Sequence, residues 1–142
     1  MAYLADVNVL VALLHARHSG SRRAVAWLTE QEEPGAIHLC RVVQMGVLRV
    51  LTNRAWMKEE VLSAADVWRA WDTLLSDDRF AEVGEPRELE LVWRKITRGF
   101  EPGRCAETDS YLAAFAVAAG YQFVSFDRGL ERFPELDLAL LR

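Results

Sequence analysis

The sequence predicts an α/β domain with a central, largely parallel sheet flanked by helices. Two observations carry this. Short apolar runs ("AYLAD" at 2–6, "AIHL" at 36–39, "QFVSFD" at 122–127) alternate with longer segments whose apolar residues recur at helical spacing. Two of those runs also end on aspartate, Asp6 and Asp127. Ligands of such sheets bind at the C-terminal edge of the strands, where these carboxylates would stand.

Taken in order, residues 2–6 read as a strand ending on Asp6, and 8–15 as a short helix. Ser19 or Ser21 can cap a second helix to about Gln31, with Ala24, Trp27 and Leu28 near one face. The turn signal "EEPG" ends it, and "AIHL" follows as a strand. A third helix spans roughly Val42 to Leu51, striped by Val43, Val47, Leu48 and Leu51. Ser63 is a good N-cap for a helix to about Ser76, in which Val67, Trp68, Trp71, Leu74 and Leu75 recur at helical spacing. Phe80 to Val83 reads as a short edge strand. In "PRELELVWRKI" a proline takes the first helical position and Leu89, Val92, Trp93 and Ile96 share a face. Thr108 caps the helix "DSYLAAFAVAA", which stops at Gly120. "YQFVSF" is the clearest strand, and "LDLALL" is a last extended piece.

At 142 residues the chain is expected to form one domain, residues 1–142, with a real core. The start lacks a positively charged leader region, and no apolar run approaches a membrane span of roughly 20 residues. A cytoplasmic protein is therefore expected, with Cys40 and Cys105 as reduced, packing thiols. The formal net charge of −4 argues against a sliding binder that works by phosphate neutralisation alone.

Asp6 is the anomaly of "YLADVNVLVALL", because a buried carboxylate needs a partner. It can cap the next helix. Asp127 opens the turn-like "DRGL", and Asp109, in the first turn of a helix, is favoured by the macrodipole. If the three converge at the sheet edge, their repulsion calls for a shared cation. A set without matching Cys or His suits Mg²⁺ or Mn²⁺.

The stretches "LADVNVLVALL", "VVQMGVLRVLTN", "TDSYLAAFA" and "FVSFDRGL" resemble, in order and across essentially the whole chain, the PIN domain, and specifically VapC-type toxins of bacterial toxin–antitoxin pairs. The resemblance implies a PIN-like fold and a Mg²⁺- or Mn²⁺-dependent endoribonuclease that inhibits translation or growth until its antitoxin neutralises it. It implies metal-holding roles for Asp6, Asp109 and Asp127, with Asn8, Gln44 and Ser125 orienting them. The bound ion would polarise the scissile phosphate and acidify an attacking water. The family commonly carries Glu where this chain has Gln44, which can hydrogen-bond a water but adds no negative charge. The resemblance further implies an RNA substrate, a small antitoxin and a homodimer.

Arg17, Arg22 and Arg23, and Arg94, Lys95, Arg98 and Arg104, are candidate walls of a phosphate groove; solvated helix faces explain them equally well. Two other readings compete: a non-catalytic PIN-shaped module binding RNA or protein, and a phosphoacceptor receiver domain. The second lacks a lysine at the end of a late strand.

Overall fold

A computed structural model describes residues 1–142. Its centre is a five-stranded parallel sheet: β1 (Tyr3–Ala5), β2 (Ile37–Leu39), β3 (Phe80–Glu82), β4 (Gln122–Ser125) and β5 (Leu138–Leu140). The spatial order is β3-β2-β1-β4-β5, and every neighbouring pair is parallel. The expected α/β architecture is therefore present. The register is set at the middle of the sheet, where Leu4 lies beside His38 on one side and Phe123 on the other.

Seven helices make the crossovers: α1 (Val7–Leu14), α2 (Ser21–Thr29), α3 (Arg41–Leu51), α4 (Arg54–Met57), α5 (Ala64–Leu75), α6 (Leu89–Thr97) and α7 (Glu107–Ala119). From β1 the chain winds outward through β2 to β3, then jumps back across the sheet to β4. Right-handed crossovers put α1–α5 and α6–α7 on opposite faces. The direction of winding reverses between β1 and β4, which leaves a crevice beyond their C-terminal ends.

One contiguous core joins sheet and helices, including Leu4, Ile37, Leu39, Phe123 and Val124 from the strands and Val9, Leu10, Val43, Val47 and Phe115 from the helices. In α7, Ala113, Ala114 and Ala116 are fully buried, so this helix is apolar on nearly all sides. Gly46, in the middle of α3, is where α1 comes closest. A Cβ there would lie 2.5 Å from Val7 Cγ2. The glycine thus permits the contact that seats the start of α1.

Several boundaries differ from the sequence reading for local reasons. Strand β1 stops at Ala5, because Asp6 takes an extended conformation and accepts the Val7 N–H, capping α1. Strand β4 stops at Ser125, so Asp127 lies beyond it. There Asp127 caps a 3-10 turn, Arg128–Arg132, by accepting the Gly129 N–H. Helix α2 starts at Ser21 with Gly20 before it and no side-chain cap. Thr108 does not cap α7; the helix already begins at Glu107 after Ala106, which has φ 46°. Pro86 precedes α6 rather than opening it, and the single-turn α4 has too few residues for a periodic signal. Ser63 caps α5 as expected, its hydroxyl accepting the Asp66 N–H. Cys40 is buried and packs, but Cys105 is exposed and does not. Trp71 is buried and Trp68 is 43% exposed, so the two do not share one packing role. No helix is long and apolar enough to cross a membrane.

Candidate active site

A cleft of about 300 Å³ opens at the crevice between β1 and β4, and Asp6, Asn8, Asp109 and Asp127 all line it. Strand β1 delivers Asp6, the first turn of α1 delivers Asn8, the first turn of α7 delivers Asp109, and the segment after β4 delivers Asp127. Three carboxylates from three separate chain segments thus face one space, as the edge geometry predicts. A larger hollow of about 690 Å³ beside β5 includes Glu131, Asp137 and Arg142 but no member of this set.

Ser125, fully buried at the end of β4, ties the floor together. Its hydroxyl donates to Asp6 Oδ2 (2.6 Å) and accepts from Asn8 Nδ2 (3.1 Å) and from the Asp127 N–H (3.0 Å). Asn8 Oδ1 in turn accepts the Phe126 N–H (3.2 Å), linking α1 to the chain after β4. Each group in this network has a definite donor or acceptor role, which fixes the Asn8 amide orientation.

Burial pushes the Asp6 carboxyl up to about 6, and the charges of Asp109 and Asp127 push in the same direction. The hydrogen bonds from Ser125 and the Val7 N–H oppose that rise. Asp6 therefore feels the other two acids across the cleft. Asp109 carries its own countercharge: Arg132 Nη2 lies 3.0 Å from Asp109 Oδ2, with both side chains about two-fifths exposed. Arg132 also donates to the Gly129 carbonyl and lies over the Phe133 ring.

Gln44 stands apart. It is buried on α3, its Oε1 accepts from Arg41, and it is not among the residues that line the cleft. None of the basic residues proposed as groove walls lines the cleft either. Arg17 pairs with Glu60 and Arg94 with Glu90 on exposed faces. The cationic side chain in the lining is Arg49, from the last turn of α3, and His18 joins it from the loop after α1. Arg49 was visible in "GVLRVLTN" but gave no periodic signal. His18 and Arg132 lie in irregular segments where spacing says nothing about direction.

The donor set suits a hard cation. Its carboxylates supply only oxygen, and a positive charge would offset the burial that raises the Asp6 pKa and the smaller repulsion from Asp109 and Asp127. The ligands are not preassembled, since no three His, Cys, Asp or Glu side chains stand close enough together to hold one ion. Asp109 is turned to Arg132 and Asp127 to its turn.

The PIN domain family model matches residues 3–136. Ribonuclease VapC41 of Mycobacterium tuberculosis (strain ATCC 25618 / H37Rv) is 36% identical over 142 residues, 97% of each chain. Ribonuclease VapC44 of the same strain is 35% identical over 132 residues, 92% of this chain and 89% of the relative. Among solved structures, VapBC2 from Rickettsia felis bound to a DNA fragment from its promoter superposes with a TM-score of 0.70 at 15% identity and full coverage of both chains.

Proposed function

Because the chain belongs to the PIN-domain family, we propose that it is a VapC-type ribonuclease, the toxin of a toxin–antitoxin pair, cutting RNA phosphodiester bonds with Mg²⁺ or Mn²⁺. The carrying observation is the convergence of Asp6, Asp109 and Asp127 on one cleft at the β1–β4 crevice. Likeness to two ribonucleases over most of the chain supports the activity class.

In this reading Asp6, Asp109 and Asp127 hold the ion. When bound, a divalent ion there supplies positive charge to the scissile phosphate and acidifies a water molecule. Ser125 and Asn8 aim Asp6 and fix the backbone that carries Asp127. Asp6 with a pKa of about 6 is mostly ionised at neutral pH, so it is a competent ligand there. For Asp109 to join it as a ligand, its carboxylate would have to exchange Arg132 for the ion. Gln44 acts at a distance, buttressing α3 through Arg41 rather than reaching the reaction. Arg49 places positive charge beside the acidic floor, which helps to reconcile an RNA substrate with a net charge of −4.

A small antitoxin that covers the cleft, and a homodimeric toxin, are the partners this function takes. Likeness to the VapBC2 assembly supports the first. The experiment is inducible expression of the wild type and of Asp6→Asn in bacterial cells, with sequencing of new RNA 5′ ends. Growth arrest with discrete cuts in the wild type only is expected. Arrest that persists in Asp6→Asn, without new ends, would favour a non-catalytic binding module.

A further inference from the structure

We propose that His18 contacts the RNA directly, its Nε2–H donating to a non-bridging phosphate oxygen of the strand lying in the cleft. The inference rests on the ribonuclease reading of that cleft and deepens it. His18 lines the same space as Asp6, Asn8, Asp109 and Asp127, although it comes from the loop between α1 and α2.

The ring is held on its other side. Nδ1 accepts the Gly20 N–H at 2.9 Å, and the ring packs against Phe126 with centroids 6.5 Å apart. Gly20 is needed for this arrangement, because a Cβ there would lie 2.9 Å from Phe126 Cζ and 3.2 Å from His18 Nδ1. A neutral imidazole that accepts at Nδ1 must carry its proton at Nε2. That N–H has no partner elsewhere in the chain, since the Nδ1 contact is the ring's only hydrogen bond. Burial and the neighbouring His15 hold the His18 pKa below its ordinary value, which favours the neutral ring, and the Gly20 N–H selects the tautomer.

The chemistry of the cleft selects phosphate as the acceptor. The floor is acidic, so a polyanion needs donors at the rim, and the lining offers Arg49 as a charged one and, with the Thr108 hydroxyl, His18 as a neutral one. Phe126 sits between Ser125 and Asp127, so the residue that positions His18 also joins the floor to the last acid.

Two substitutions separate a donor from a merely structural histidine. Asn places an oxygen near the position of Nδ1, so His18→Asn can keep the Gly20 contact but loses the distal donor. Gln reaches the position of Nε2, so His18→Gln restores a donor. The probe is a fluorescein-labelled, mixed-sequence single-stranded RNA. Its KM and kcat are measured with Mn²⁺ on the otherwise wild-type chain, and its binding is measured by anisotropy in the Asp6→Asn background. His18→Asn is expected to raise KM and weaken binding by roughly tenfold, with kcat nearly unchanged. His18→Gln is expected to bind more tightly than His18→Asn. A His18→Asn protein that binds as well as its parent, or a His18→Gln protein no better than His18→Asn, would overturn the assignment while leaving the ribonuclease reading intact. A wild type that neither cleaves nor binds any RNA would overturn both.

Discussion

The Ser125 hydroxyl donates to Asp6 Oδ2 at 2.6 Å while accepting the Asp127 N–H at 3.0 Å, so one buried hydroxyl joins the ends of two adjacent strands to two acids. Ser125→Ala removes it and leaves Asp6 with the Val7 N–H as its remaining donor. A loss of about 1–3 kcal/mol of stability is expected from the unpaired groups, read from the shift in urea midpoint. The Asp6 pKa should also move further up, since the lost bond opposed its rise. The acidic limb of the pH–rate profile should follow it upward.

Asp6 itself opposes folding at neutral pH. Its carboxyl is near 3.8 in an unfolded chain and about 6 in the folded protein, so the folded state binds more protons between those values. Stability from this group is full below pH 3.8 and is lost as pH rises through about 6. Asp6→Asn keeps an oxygen for the Val7 cap and carries no charge. Its other amide atom is a donor, so the Ser125 hydroxyl loses its acceptor at every pH. On top of that constant cost, the stability of Asp6→Asn relative to wild type should rise by on the order of 2 kcal/mol from about pH 4 to about pH 7. Thermal melts across that range check the sign.

Arg132 is the countercharge of Asp109, so it would compete with a cation proposed to bind there. Removing it with Arg132→Gln should change stability by less than about 1 kcal/mol, because the pair is substantially exposed. The same substitution should tighten Mn²⁺ binding, seen as a larger rise in Tm at a fixed Mn²⁺ concentration. An unchanged Mn²⁺ response would place Asp109 outside the metal site.

Gly46→Ala tests how α1 is seated. The added methyl meets Val7, the residue after Asp6, at 2.5 Å. A β-branched side chain beside a strand end has little room to yield. Overpacking of about 1–3 kcal/mol should outweigh the roughly 1 kcal/mol gained from alanine in a helix. Tm should fall, and activity should fall with it because Val7 carries Asp6 along.

The fold was legible from sequence because each level agreed: Ser63 marked a cap, "YQFVSF" marked a strand, and the alternation of runs marked a parallel sheet. The acids were legible for a related reason. Asp6 breaks an apolar run, and strand ends in a parallel sheet share an edge. Arg132 was not legible, because a 3-10 turn has no period that says which way a side chain points. His18 was hidden similarly: its direction is set by contacts with Gly20 and Phe126, the second more than a hundred residues away. Gln44 is a case where sequence position and side-chain direction part. Its position beside a family motif suggested the site, whereas the turn of α3 that carries it directs its amide to Arg41.

The central claim is that Asp6, Asp109 and Asp127 act as one cation-dependent centre for RNA hydrolysis. The most direct measurement is the initial rate of cleavage of purified tRNA, rRNA and mRNA with Mn²⁺, with chelator, and with Asp6→Asn in place of the wild type. Cleavage by the wild type in Mn²⁺ alone, abolished by chelator and lowered at least about a hundredfold by Asp6→Asn, is the expected result. Cleavage that survives chelation, or that Asp6→Asn leaves untouched, would contradict it.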